Sequence, residues 1–568
     1  GKAARGMAEQ LGGYFRETFE GLRRGLADGL RVMRRKGPSE VQFWFIALLI
    51  GVAAAFAALL FRIGVGELQS LFYGTDNVAH IHQEAARIKW YWLLAIPMFG
   101  GLAVGTLLHI FTGDGRVRAV ADVIEGAALR EGRVARRAGL ASALASFITL
   151  STGGSSGREG PVVHLAAVMA TYVSRWIHAD GVHGRTLMGC AVAGAVSASF
   201  NAPIAGGLFA LEVVLRHYAV NAFAPIAIAS VAGTVVSRLV MGDVTEFYLS
   251  PNTELGFYAE LPAFVVLGLF AGLVAATLMK SIFWAEGFGD VVQERFGIHR
   301  ILRPVIAGAI LGGMAIWWPH IIGVGWGVTS EAVTGRILLL QAVVFVVIKI
   351  IAVAVTIGGR MGGGVFSPSL MVGALAGLAF GIVATNVFPE GSSPATLYAL
   401  AGMGAVAAAV LGAPISTTLI IFELTGDWQT GLAVMVAVSL STALASRLVD
   451  RSFFLTQLER RGIHLAAGPQ TYLLGKVRVT SVMRAIGTVR ASSEETCWEM
   501  IREGRYIDAS DTLRQALPDF EETGQDFLPV VRIRGEDRSP DLLGALYHVD
   551  ALRAYNRALA EKAREEHS

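Results

Sequence analysis

The sequence predicts an all-α polytopic membrane domain built as two halves with many tilted and broken helices, followed by a small α/β domain. Three observations predict it. The 568-residue chain is 53% hydrophobic and only 16% charged, with mean hydropathy +0.53 and long apolar runs, as a polytopic membrane protein requires. One apolar segment recurs some two hundred residues later. Beyond about Asp450 the polarity changes, and the remaining residues hold most of the dense charge clusters.

Residues 1–37 read as a cytoplasmic amphipathic segment, with an interfacial helix over 14–35. They lack a compact apolar core ahead of a small-residue cleavage site, so no cleavable signal is expected. Arg23, Arg24, Arg31, Arg34, Arg35 and Lys36 precede the first span, and Arg130, Arg133, Arg136 and Arg137 follow Leu129. The positive-inside rule places both groups in the cytoplasm. The membrane domain is assigned to 38–450, with clear spans near 44–62, 91–111, 222–241, 262–283, 337–357, 371–388 and 431–448. The stretches 186–211 and 397–424 are interrupted by Gly and Pro, which predicts broken helices. Such backbone survives at membrane depth only where protein buries it or water lines it, and the 67 glycines supply breaks and close helix contacts. Residues 451–476 are read as a last pore helix and linker, and 477–568 as a truncated soluble unit. Both termini are expected in the cytoplasm, with a bacterial inner membrane as the host. Cys190 and Cys497 lie in unlike contexts and suggest neither a disulfide nor a metal site. A net charge of +3 is unremarkable, and no cofactor or nucleic acid partner is expected.

The repeat is "PIAGGLFALE" at Pro203–Glu212 and "PISTTLIIFE" at Pro414–Glu423, each preceded by an Ala-rich stretch beginning "GAV". Each copy also follows a Gly-rich break, "GGSSGREGP" in the first half and "GGRMGGGVFSP" in the second. Pro161 and Pro368 stand where a new helix starts and a missing N–H costs least. Two helix N-termini are therefore expected inside the membrane. Each offers unpaired N–H groups and about half a positive charge, which favours an anion without a full counter-charge. In this setting the carboxylate of Glu159 has a physical role: it can occupy the anion site itself and compete with the permeant ion.

"GREGPVVH" (Gly157–His164), "FNAPIAG" (Phe200–Gly206), "GGVFSP" (Gly363–Pro368) and "GAPISTTLIIFELTG" (Gly412–Gly426) together resemble, in order, the motifs of the CLC family of chloride channels and chloride/proton exchangers. The resemblance implies two inverted halves, a homodimer in the lipid membrane with one anion pathway per subunit, and chloride or a similar small anion as the permeant species. It implies that Glu159 is the gating glutamate, that Arg158 and Gly160 beside it bind the anion, and that the backbone N–H groups of Val365 and Phe366 line the ion site. His164 belongs to the same motif and is read as a buried structural histidine.

Three departures from the family pattern follow. The usual Ser-containing Gly-Ser-Gly-Ile-Pro segment is missing; the ungapped count from Glu159 reaches Arg118, whereas anchoring on glycines selects Asp114. Arg118 is preferred, because an anionic side chain beside chloride is unfavourable. A guanidinium facing the path adds charge and five donors, but one turned to the cytoplasmic vestibule acts only as an electrostatic funnel. The inner proton-relay glutamate of exchangers is replaced by Val213, beside Glu212. As the counterpart of Glu423, Glu212 is read as structural, capping backbone or pairing with Arg216, and stays a proton-relay candidate because intramembrane ionisable residues are functional by default. Finally, the usual anion-facing Tyr is replaced by Phe454, which has no hydroxyl. Passive, weakly coupled flow is favoured, with a chloride/proton antiporter as the alternative.

"VTSVMR" (Val479–Arg484) and the stretch from Tyr506 to Leu552 resemble CBS sequence, with one well-formed module. Asp550 stands where a ribose would be held, but Tyr547 replaces the usual small hydroxyl residue; a dimerising scaffold is preferred to an adenine nucleotide sensor. Two other classes compete. Ser155, Ser156 and His164 superficially suggest a membrane serine protease, but that reading leaves the paired helix starts and the tail unexplained, so no enzyme activity is expected. A non-conducting anion sensor is the other.

Overall fold

The computed structural model describes residues 39–75, 78–218, 220–242, 260–389, 392–463, 465, 474, 477–488, 492–532 and 540–567. The expected interfacial helix over 14–35 lies outside the described residues. The chain divides into two compact units, Gly1–Gln457 and Leu458–Ser568.

Among the described residues, seven helices are long and apolar enough to cross a membrane, and each contains one of the seven spans read from the sequence or most of it. Their outer faces are apolar: Leu60, Phe99 and Leu239 are 68%, 69% and 81% exposed, a pattern suited to lipid contact. Helices Glu40–Tyr73 and Leu261–Arg295, with 34 and 35 residues, are about 50 Å long at 1.5 Å per residue. That exceeds a hydrocarbon core of about 30 Å, so they tilt or project beyond it.

The two halves are visible in the order of elements. Leaving aside the short helix Ile81–Ala85, the π-helical turn Ala210–Leu215 and single 3-10 turns, the first half runs Glu40–Tyr73, Trp90–Phe111, Val120–Leu129, Arg136–Ser151, Glu159–Trp176, Gly181–Phe200, Pro203–Phe209 and Val220–Met241. The second runs Leu261–Arg295, Leu302–Trp317, Trp326–Val333, Leu339–Gly358, Phe366–Val387, Ala395–Leu411, Pro414–Thr425 and Trp428–Leu448, and helix Phe453–Glu459 follows. The predicted breaks fall at equivalent points. Gly181–Phe200 ends on Asn201 at φ 54° and Ala395–Leu411 ends on Gly412 at φ 69°, left-handed positions that Asn and Gly tolerate best. The next helices begin on Pro203 and Pro414, where no N–H is lost.

Equivalent helices of the halves meet reciprocally. Trp90–Phe111 packs on Leu302–Trp317 backbone to backbone: a Cβ on Gly101 would come 2.2 Å from the Pro304 carbonyl oxygen, and one on Gly308 2.2 Å from that of Pro97. These two glycines cannot be replaced without separating the halves, the close approach that small residues permit in membranes.

The second unit holds a four-stranded sheet of order β1-β4-β3-β2, with β1 Arg484–Ala485, β2 Ile507–Asp508, β3 Phe527–Arg532 and β4 Asp541–Tyr547. Strands β2 and β3 are parallel, and the other neighbours are antiparallel. Helix Leu513–Thr523 starts in a capping box between Thr512 and Gln515 and stops at Gly524 in the left-handed conformation, both strong local signals. Its Leu513, Ala516 and Phe520 pack with Ile507, Val530 and Leu546. Residues 484–506 add an edge strand and helix Glu494–Arg502 to this same unit.

Candidate anion site

The two Gly-rich breaks run into each other. Gly157 N–H donates to the Gly364 carbonyl at 2.7 Å and Gly364 N–H to the Gly157 carbonyl at 2.8 Å, an isolated antiparallel bridge between equivalent positions of the halves. Gly363, at φ 120°, must be glycine: a Cβ there would lie 1.9 Å from Ser156 Oγ. From this bridge helices Glu159–Trp176 and Phe366–Val387 leave in turn, with Pro161 and Pro368 in their first turns. The geometry brings two helix N-termini together deep in the unit, where Glu159, Gly160, Val365 and Phe366 are all buried.

Glu159 is 2% exposed, and its Oε2 accepts a hydrogen bond from Ser367 Oγ at 2.5 Å. Oε1 lies 3.7 Å from Nε of Arg158, whose guanidinium sits 5.0 Å over the Trp326 ring in a cation–π contact. A Cβ on Gly157 would come 2.9 Å from Glu159 Oε2, so only glycine leaves the carboxylate this pose.

A cavity of about 40 Å³ opens beside Glu159, lined among others by Gly160, Val365, Phe366, Phe454 and Ala119. A cavity of 10–15 Å³ already holds a water, so this one has room for a small anion. Glu159 and Gln457 are the polar side chains that line it; other donors there are backbone N–H groups. The half-buried carboxamide of Gln457 lies one turn beyond Phe454.

The structure does not bring Arg118 to this cavity. Its backbone N–H donates to Ser142 Oγ at 2.8 Å, and its guanidinium lies 3.0 Å from Asp114 and 3.6 Å from Asp122. The wall is formed instead by Ala119 and Val120. Asp114 does not line it either: its carboxylate faces Arg118 and the Arg116 N–H. The preference for Arg118 as an anion ligand is corrected on this geometry, since two carboxylates within 4 Å compete for the guanidinium. Arg158 likewise stands outside the lining, under Trp326.

Glu212 and Glu423 form a crossed pair of caps. Glu212 accepts from Ile415 N–H at 2.9 Å, Ser416 N–H at 2.7 Å and Ser416 Oγ at 2.5 Å. Glu423 accepts from Ile204 N–H at 2.9 Å and Ala205 N–H at 2.8 Å. Each carboxylate closes the N-terminus of the repeat helix in the opposite half, where the dipole and free N–H groups favour it. Val213 lies buried in the π-helical turn Ala210–Leu215 that carries Glu212. His164 is buried against Gly139, and among the described residues its Nδ1 has no hydrogen-bond partner.

A family profile described as voltage gated chloride channel matches residues 100–446. The chain belongs to the CLC family. A putative chloride channel protein ClcB-like from Ralstonia nicotianae is 31% identical over 396 residues, covering 69% of this chain and 91% of that relative. Two solved structures share the CLC fold. One is a slow cyanobacterial Cl⁻/H⁺ antiporter, with TM-score 0.65, 19% identity, 75% of this chain and 98% of that one covered. The other is a eukaryotic CLC transporter, with TM-score 0.64, 17% identity, 92% and 98% covered. CLC proteins are integral membrane proteins that transport chloride, typically as dimers, and this chain is an anion transport protein of that family.

Residues near this CLC site went unread in the sequence. Lys349 is fully buried in the middle of helix Leu339–Gly358, and its Nζ donates to the Ile321 and Gly323 carbonyls at 3.3 and 3.0 Å. A lone cation within an apolar span was the available signal. Its Nζ lies 3.5 Å from where a Cβ on Gly325 would be, next to Trp326, the ring under Arg158. Ser367 and Gln457 were also passed over; nothing local in the sequence ties either to the cavity.

In the second unit, Asp550 is occupied. Arg484 Nε donates to it at 2.7 Å, the same guanidinium stacks 3.9 Å over Tyr547, and the Tyr547 hydroxyl bonds Ser492 Oγ at 2.6 Å. A ribose would have to displace Arg484, which favours a scaffold over nucleotide binding.

Proposed function

We propose that each subunit of a homodimer conducts chloride or a similar small anion passively through a pathway gated by Glu159, with little or no proton coupling. The observation that carries this reading is the position of the Glu159 carboxylate: it lines the cavity where two helix N-termini converge, beside Gly160, Val365 and Phe366. An anion and the carboxylate then compete for the same positive end of the helices. The reading takes the N- and C-termini as cytoplasmic and the host as a bacterial inner membrane, with 38–450 as the transport domain, 451–476 as last helix and linker, and 477–568 as a cytoplasmic scaffold. Weak coupling is supported at the inner side. Val213 carries no proton, and Glu212 is engaged by three donors of the opposite half.

Reversal potentials in liposomes under opposed chloride and pH gradients test this directly. The expected potential follows the chloride gradient alone, and a chloride gradient fails to drive uphill proton movement. Pumping at a fixed stoichiometry would establish the antiporter instead and would require a proton route around Val213.

Arg118 serves this scheme as a vestibule charge. Arg118→Ser is expected to leave chloride affinity and the permeation order of chloride, bromide and nitrate unchanged. Flux falls at low ionic strength, and the deficit disappears at high salt, where the Debye length shrinks to about 3 Å at 1 M. A salt-independent loss of chloride affinity by calorimetry would return Arg118 to the ion's own coordination shell.

A further inference from the structure

Ser367 stands inside the second Gly-rich motif yet belongs to no role assigned above. It is the second residue of helix Phe366–Val387, 3% exposed, and its hydroxyl meets Glu159 Oε2 at 2.5 Å across 208 residues of sequence. The two helix starts that carry these residues are locked by the Gly157–Gly364 bridge, so neither side chain reaches the other by chance of a mobile loop. A hydroxyl offers one donor, and an ionised carboxylate accepts only. The bond is about twice as strong when Glu159 is charged, the state in which it competes with the anion.

We infer that Ser367 is the latch of the gate: its hydroxyl holds the ionised Glu159 carboxylate in the blocking pose and thereby sets the pH at which the pathway opens. This rests on the gating role proposed for Glu159 and adds a positioning residue to it. The neighbouring groups frame the effect. Arg158 faces Oε1 at 3.7 Å, and Lys349 is held by the Ile321 and Gly323 carbonyls near Gly325. His164 stands on the helix of Glu159 itself, and Asp122 on helix Val120–Leu129 packed against it. None of these changes when the hydroxyl is removed.

A hydrogen bond to a charged acceptor changes an equilibrium by about ten- to a hundredfold. Without it, less acid is needed to release the carboxylate. Ser367→Ala is expected to move the pH midpoint of chloride efflux from liposomes toward alkaline pH by about one to two units, and to raise flux at a pH well above both midpoints by about ten- to a hundredfold. Ser367→Cys keeps the side chain's volume and offers only a weak donor; it shifts the midpoint in the same direction, which separates the latch from a packing defect. In a Glu159→Gln background, Ser367→Ala changes flux by less than about twofold, because there is no charge left to hold. A purely structural serine would lower flux in both backgrounds alike. The latch is overturned if both Ser367 variants keep the wild-type midpoint while Glu159→Gln abolishes pH dependence. A wild-type protein whose pH profile survives Glu159→Gln rejects the gate itself, and the latch with it.

Discussion

Glu159→Gln is expected to conduct chloride at neutral pH as fast as the wild-type protein does in acid, and to lose its dependence on pH. In the wild-type protein, acid protonates the carboxylate and removes the charge that competes with chloride at the two helix N-termini, so flux rises as pH falls. Each pH unit above the midpoint lowers the protonated fraction about tenfold. Two units above it, the variant should exceed the wild type by up to about a hundredfold. Glutamine keeps nearly the same shape but carries no charge, so it competes poorly for a site built for anions. It also retains an oxygen for the Ser367 hydroxyl, which keeps the fold of the break intact. Efflux of chloride from liposomes between about pH 4 and 8 checks this. Parallel pH profiles for the two proteins would leave Glu159 as a buried structural carboxylate.

The pattern of Gly and Pro made the breaks legible, because those residues act through their own backbone. The helix starts at Glu159 and Phe366 and the breaks after Gly181–Phe200 and Ala395–Leu411 follow from local chemistry, whereas Phe454 was placed only by the family spacing. Side-chain direction was not legible in the same way. Arg118 sits four residues from both Asp114 and Asp122, a spacing at which opposite charges pair on or beside a helix. Weighing that spacing against the motif count would have turned the guanidinium away from the anion. The repeat Pro203–Glu212 and Pro414–Glu423 announced two halves, but not that each glutamate caps the other half's helix, since that contact spans some two hundred residues. The matching Pro97–Gly101 and Pro304–Gly308 pairs are too short to stand out from apolar sequence. Ser367 reads locally as a helix-start residue, and only the tertiary meeting of the two breaks gives its hydroxyl a partner.

Glu212→Ala is expected to destabilise the membrane unit by about 3 kcal/mol or more, with little specific effect on the ion path. The substitution removes the acceptor for two backbone N–H groups and one hydroxyl at the start of helix Pro414–Thr425. Hydrogen bonds to a charged group contribute roughly 1.5–3 kcal/mol each, and donors left unmet in a dry setting add their own cost. Ser416 is fully buried at the contact with Glu212 of the other half, so bulk water replaces the carboxylate incompletely. Glu423→Ala removes two bonds rather than three, and its smaller loss provides an internal calibration of the same mechanism. Glu212→Gln keeps one carbonyl oxygen and the side chain's length, so it should recover part of the stability while being unable to carry a proton. The two roles therefore separate cleanly in one set of variants, measured by denaturant unfolding in detergent and by liposome flux. A cap makes Ala far worse than Gln in unfolding, with transport per folded protein unchanged in both. A proton relay makes Ala and Gln equally deficient in proton movement and leaves both as stable as the wild type, the outcome that would sink the capping role.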